Sequence, residues 1–222
     1  MSFITIEGVD GVGKSSVIEK LKSYFIENKI ESVFTREPGG TDYAEKQRTL
    51  LKDPQYNLSP RAQLFGFQSA RADHVDKVIV PALNDGKIVV CDRFYDSTMI
   101  YQQSSSLSPE FINEMSLIAT NGLKPDLTLI FDVSFETADK RKNLRADVTL
   151  DAFDNKPKKE WLAMREKWQK LAVEPRCEII SGEGSVDEVF ERTLKVLENR
   201  GILALPDLNR VENIQKTANK TL

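Results

Sequence analysis

Gly8-Val9-Asp10-Gly11-Val12-Gly13-Lys14-Ser15-Ser16 is the stretch on which the fold turns. It has the spacing G-x-x-x-x-G-K-[ST], follows the apolar run Phe3-Ile4-Thr5-Ile6 and precedes a helical pattern. Glycines let a backbone turn tightly enough for its N–H groups to converge on one point, and the following helix directs the positive end of its dipole there. Such a point holds phosphate. Gly8, Asp10, Gly11, Val12, Gly13, Lys14, Ser15 and Ser16 therefore form a candidate nucleoside-triphosphate site. Lys14 is long enough to reach the β- and γ-phosphates, and Ser15 is placed to ligate a phosphate-bound Mg²⁺.

The 222 residues suffice for one α/β domain, since a domain takes about 150 residues. The expectation is a single domain over residues 1–205 with a tail at 206–222. A net charge of -3 argues against nucleic acid as the main partner, so any basic site must be local. Cys91 and Cys177 are far apart and each sits in an apolar run, which fits buried free thiols in a reducing compartment rather than a disulfide framework or zinc site. No apolar run approaches about 18 residues, and no basic-then-apolar leader opens the chain. The expected location is cytoplasmic, with no membrane span.

Apolar positions Val17, Ile18, Leu21, Tyr24 and Phe25 predict a helix from Lys14 to about Asn28. Ser32 to Thr35 reads as a strand ending in Arg36-Glu37-Pro38-Gly39-Gly40-Thr41, whose two charges are able to pair with one another. A helix over Tyr43 to Lys52 follows, and Ser59-Pro60 opens a long one to about Asn84. On it Phe67, Arg71 and His74 share one side. Lys87 to Cys91 is an apolar strand ending in Asp92-Arg93, and Phe94 to Leu107 reads as a Ser- and Gln-rich loop before a helix capped at Ser108-Pro109. The fourth strand is Leu127 to Asp132, followed by a helix over Phe135 to Leu144. Residues 145–159 are polar and aperiodic and read as a mobile flap. Helix Trp161–Val173, strand Glu178–Ile180 and a helix opened by the capping box Ser185-Val186-Asp187-Glu188 complete the pattern. Strand-helix alternation implies a three-layer α/β fold, a five-stranded parallel sheet flanked by helices, with the strand-end motifs meeting on one edge.

The phosphate loop, the Arg36 to Thr41 turn, Phe67/Arg71/His74, Asp92-Arg93-Phe94 and Ser97 with Tyr101-Gln102 occur in an order that resembles the thymidylate kinase family over roughly residues 1–199. That resemblance implies a P-loop nucleoside-monophosphate-kinase fold, transfer of the γ-phosphoryl group of ATP to dTMP, Mg²⁺, and commonly a homodimer. It casts Phe67 as the ring that stacks on thymine and Arg71 as the donor to the base carbonyl. Ser97 and Thr98 fall at the base edge, Tyr101 against the sugar C2′, and Gln102 nearby. Asp10 is similar to the carboxylate addressing the sugar 3′-hydroxyl, and Arg93 to the acceptor-phosphate ligand. Asp92, with Ser15, matches the metal site, and Glu37 a metal- or substrate-facing carboxylate. Where one branch of the family has an arginine in the phosphate loop, this chain has Gly11, so Arg141 or Arg145 must supply the mobile cation, as in the bacterial-type branch.

Three departures from the family pattern bear on base selection and turnover rather than on the reaction: Ala70 before Arg71, Ala152 in the flap, and Gln103-Ser104-Ser105-Ser106 in place of a glycine-rich loop. Two other readings compete. One is a P-loop kinase for another monophosphate such as dUMP; the other is a nucleotide-binding switch, although the chain has no Asn-Lys-x-Asp stretch for guanine.

Overall fold

In the computed structural model, which describes residues 1–144 and 157–203, strands β1 (Ser2–Glu7), β2 (Ser32–Arg36), β3 (Ile88–Asp92), β4 (Leu127–Asp132) and β5 (Cys177–Ser181) form one parallel sheet in the order β2-β3-β1-β4-β5. The helices are α1 (Lys14–Glu27), α2 (Asp42–Lys52), α3 (Pro60–His74), α4 (Val80–Asn84), α5 (Tyr95–Tyr101), α6 (Pro109–Ala119), α7 (Phe135–Asn143), α8 (Lys158–Leu171) and α9 (Val186–Asn199). The three-layer expectation is borne out.

Both faces of the sheet are covered because the central strands are apolar on both. Ile4 and Ile6 of β1 join Leu127, Leu129 and Val90 in a core closed by Val17, Leu21 and Phe25 of α1 and by Trp168 of α8. On the opposite face Phe3, Val89 and Cys91 pack on Val75, Ile79 and Phe94. β1 is paired on both sides, Ile6 opposite Asp92 on β3 and Leu129 on β4. Parallel pairing in this register sends the loops after β1, β2 and β3 to the same edge.

Local signals set most of the element ends. Thr41 and Ser59 cap α2 and α3 by accepting from Ala44 N–H and Ala62 N–H, and Ser185 with Glu188 makes the expected capping box. The helix expected from Pro60 to Asn84 is not uniform. Val75–Ile79 is a π-turn between α3 and α4. Pro81 gives the reason, since it carries no N–H and its ring crowds the carbonyl four residues back. The loop expected over Phe94 to Leu107 contains α5, because buried Asp96 and Thr98 find partners in Arg176 and Arg71, which a polar composition cannot announce. Helix α8 begins at Lys158, within the segment read as flap. The rest of that segment up to residue 156, and the tail at 206–222, lie outside the described residues.

Leu129, fully buried on β4 beside the central strand, carries the packing of the larger core. A Leu129→Ala variant is expected to lose about 2–5 kcal/mol of stability, seen as a lower denaturant midpoint at unchanged slope.

Candidate active site

The loop between β1 and α1 is shaped by close approaches that exclude side chains. Gly8 has φ 128°, and a Cβ there would lie 2.4 Å from the Phe131 carbonyl oxygen. At Gly11, φ 88°, a Cβ would meet the Ala138 carbonyl at 2.9 Å, so an arginine at this position has no room on the present backbone. Gly13, left-handed at φ 99°, precedes the first residue of α1. Lys14, buried to 7% exposure, donates to the carbonyls of Gly8 at 3.0 Å and Val9 at 3.1 Å. Ser15 and Ser16 are exposed at the start of the helix. Two buttresses hold the loop from behind. Arg141 of α7 donates to the carbonyls of Val12, Gly182 and Gly184 at 3.1, 2.8 and 3.0 Å, and the Trp161 indole of α8 donates to the Asp10 carbonyl at 3.2 Å.

Asp92 and Arg93 leave β3 toward this loop. Arg93 adopts φ 71°, and its guanidinium donates to the Gly8 carbonyl at 3.2 Å, the Ser97 hydroxyl at 3.0 Å and Asp10 Oδ1 at 2.5 Å. Arg93 thus pairs with the loop carboxylate rather than with its neighbour Asp92. Asp92 Oδ1 is buried and has no hydrogen-bond partner among the described residues. Asp92 and Ser15 together line both the pocket that extends to Phe67 and Arg71 and an adjoining hollow beside α1.

The far end of the pocket is built on α3 and the turn after β2. Arg71, 3% exposed, donates from Nε to Glu37 Oε2 at 2.7 Å, from Nη1 to Gln68 at 2.8 Å and from Nη2 to Thr98 at 3.0 Å. His74 lies 3.1 Å from Glu37 Oε1 through Nδ1 and 2.7 Å from the Thr35 hydroxyl through Nε2. A Cβ at Gly40 would collide with that imidazole at 2.4 Å, which explains the glycine. The idea that Arg36 and Glu37 pair with one another fails: Arg36 binds Glu45 at 2.9 Å, and Glu37 is buried against Arg71 and His74. With both Glu37 oxygens so engaged, a direct metal role for Glu37 has no support in the geometry.

Phe67, Arg71, Thr98, Tyr101 and Gln102 line the pocket at this end, and Arg93, Ser97, Asp10 and Asp92 at the other. The Tyr101 ring sits 5.2 Å from the Arg93 guanidinium, and its buried hydroxyl has no hydrogen-bond partner among the described residues. The Ser97 hydroxyl is turned away from the base end, donating to Glu7 at 2.7 Å. Arg141 does not line this pocket, and Arg145 lies outside the described residues. Arg48 and Lys52 of α2 do line it, and sequence reasoning missed both, as it missed Glu7 and Trp161. They follow no motif, and only the docking of α2 on α3 brings Arg48 and Lys52 in.

Charge in the site is balanced at short range. Burial pushes the Asp10 carboxyl up, but Arg93 and Lys14 outweigh it and leave it below the usual range. Burial, reinforced by Arg93, lowers the Lys14 ammonium to about 8. Burial raises the Glu7 carboxyl to about 8 against the pull of Arg93.

A phosphate-binding loop facing a second pocket that ends in a buried arginine defines a P-loop phosphotransferase acting between two nucleotides. Residues 6–193 match the family model described as thymidylate kinase. Thymidylate kinases of Finegoldia magna and Mesoplasma florum are each 39% identical to this chain, covering 90% and 88% of it and 100% and 94% of their own lengths. A crystal structure of thymidylate kinase from Ehrlichia chaffeensis superposes with a TM-score of 0.69 at 31% identity, covering 89% of this chain and 98% of that one. The chain belongs to the thymidylate kinase family.

With its pKa near 8 in the free protein, Lys14 is charged at pH 7 and loses its proton as pH rises through that value. Affinity for a nucleoside triphosphate is therefore expected to be flat from pH 6 to 7.5 and to fall by up to about tenfold per unit above pH 8. Calorimetric titrations across this range check it; a constant affinity up to pH 9.5 would contradict it.

Proposed function

We propose that this chain transfers the γ-phosphoryl group of ATP to dTMP, giving dTDP and ADP, with ATP on the loop Gly8 to Ser16 and dTMP in the pocket between Phe67 and Arg93. The observation that carries this reading is the junction of Ser15, Asp92 and Arg93 at one end of a pocket whose other end is a buried guanidinium beside an aromatic ring. Such a pocket has a cationic end for a phosphate and a flat, hydrogen-bonding end for a base.

In this arrangement thymine lies on Phe67. Three of the five N–H groups of Arg71 are engaged by Glu37, Gln68 and Thr98, leaving donors for a carbonyl at the base edge. A donor there favours a 4-oxo pyrimidine over a 4-amino one. Thr98 and Gln102 complete the base end, and Tyr101 packs where a ribose 2′-hydroxyl would have to sit. Arg93 binds the acceptor phosphate through its forked donors. Asp10, held to Arg93, faces the sugar 3′-hydroxyl. Lys14 holds the donor phosphates and neutralises charge as the phosphoryl group moves. Arg141 braces the phosphate loop through the Val12 carbonyl, which leaves Arg145 as the better candidate for the mobile cation.

Mg²⁺ fits the same site. The unpartnered Asp92 oxygen beside Ser15 supplies a carboxylate and a hydroxyl, and no cluster of three ligating side chains occurs among the described residues, as suits an ion held largely by phosphates and water. When bound, it would offset charge on the donor phosphates.

The reading extends to a cytoplasmic homodimer. Both cysteines are free, and no helix among the described residues is long and apolar enough to cross a membrane. Tyr43 and Leu50 of α2, Phe65 of α3 and Leu117 and Ile118 of α6 are exposed on three helices that pack side by side, an apolar face suited to a second copy.

Initial rates of ADP release with ATP and Mg²⁺ across dTMP, dUMP, AMP, GMP and dCMP are expected to be highest with dTMP. Preference for AMP or GMP, or equal release without any acceptor, would reject the assignment. Lys14→Ala is expected to reduce kcat by on the order of 10²–10³-fold with dTMP affinity retained; an unchanged kcat would remove Lys14 from the chemistry.

A further inference from the structure

Glu7 is the last residue of β1, is fully buried, and has no part in the roles assigned above. Its two oxygens are both used. Oε1 accepts from the Phe94 N–H at 2.7 Å and Oε2 from the Ser97 hydroxyl at 2.7 Å. Phe94 follows Arg93 in the turn after β3, and Ser97 lies in the first turn of α5, which that turn leads into. Arg93 has φ 71°, a backbone region that a residue with a side chain keeps only where its surroundings hold it. The holding contacts are visible on every side. The Arg93 N–H donates to the Ile6 carbonyl at 3.0 Å, its carbonyl accepts from the Cys91 thiol at 3.0 Å, and the next N–H is the one bound by Glu7. Further out, the Ser97 hydroxyl that Glu7 orients accepts from Arg93 Nη1 at 3.0 Å.

We propose that Glu7 is a positioning residue for acceptor-phosphate binding: its carboxyl fixes the Arg93 turn through Phe94 N–H and aims the guanidinium through Ser97. The inference rests on the reading of Arg93 as the ligand of the dTMP phosphate. From the last position of β1 the Glu7 carboxyl reaches both the amide and the hydroxyl.

The experiment compares affinities for dTMP and for thymidine, which lacks the phosphate, in Glu7→Ala, Glu7→Gln, Ser97→Ala and Arg93→Ala, with thermal melts of each. Glu7→Ala is expected to weaken dTMP about tenfold and thymidine less than twofold, the scale of one displaced charge-assisted hydrogen bond. Glu7→Gln keeps an acceptor for Phe94 N–H and a polar contact to Ser97, and is expected to restore dTMP binding to within about threefold of the parent. Unchanged dTMP affinity in Glu7→Ala, equal losses for dTMP and thymidine, or a Glu7→Gln protein as impaired as Glu7→Ala would each overturn the proposal. Should Glu7→Ala not fold, Ser97→Ala carries the same test, with selective loss of dTMP expected and a loss shared by thymidine refuting it. Arg93→Ala separates the two layers. If it lowers dTMP but not thymidine affinity while Glu7→Ala leaves both unchanged, only the role of Glu7 falls; if Arg93→Ala leaves the ratio unchanged, the acceptor-phosphate reading itself falls.

Discussion

The Arg93 guanidinium ties together segments that are remote in sequence. It binds the Gly8 carbonyl and the Asp10 carboxylate in the phosphate loop and the Ser97 hydroxyl on α5, while its own backbone stands at the end of β3. The parallel register that sets Ile6 beside Asp92 makes this possible, because it brings the end of β1 and the end of β3 level. A protein with a net charge of -3 thereby concentrates cations at one sheet edge, each with a carboxylate near it. The pairing keeps Lys14 and Arg93 from repelling one another without an anion to share.

The two ends of the pocket are built on different principles. At the base end Arg71, Glu37, His74 and Thr35 form a buried chain in which polar groups satisfy one another. Such a chain is costly to desolvate but rigid once complete, so the donors facing the pocket are set before any ligand arrives. At the phosphate end Ser15 and Ser16 are open, and the buried Oδ1 of Asp92 has no partner among the described residues. Unsatisfied groups of that kind are expected where a ligand, and not the protein, completes the bonding.

Helices α7 and α8, which flank residues 145–156 in the chain, both reach the back of the phosphate loop. Arg141 holds the Val12 carbonyl and Trp161 the Asp10 carbonyl, one residue on each side of Gly11. The loop is thus fixed from the larger core on one side and from β3 on the other. Its glycines supply the turn, and these side chains supply the stiffness.

The sequence by itself determined the strand-helix alternation, the phosphate loop and the ends of most helices, since these depend on local chemistry: apolar periodicity, glycine at positive φ, and Ser or Thr caps. It also named nearly every residue that lines the pocket. Only the tertiary structure decided what those residues do to one another. Arg36 turns to Glu45 rather than to Glu37, Glu37 faces Arg71 and His74, Arg93 prefers Asp10 to its neighbour, and the polar stretch after Phe94 becomes α5 because Asp96 and Thr98 meet arginines from elsewhere in the chain. Glu7, Arg48, Lys52 and Trp161 carry no motif at all. A charged side chain takes the partner that burial places within hydrogen-bond reach, and that partner is fixed by how helices dock on the sheet, which no local spacing encodes.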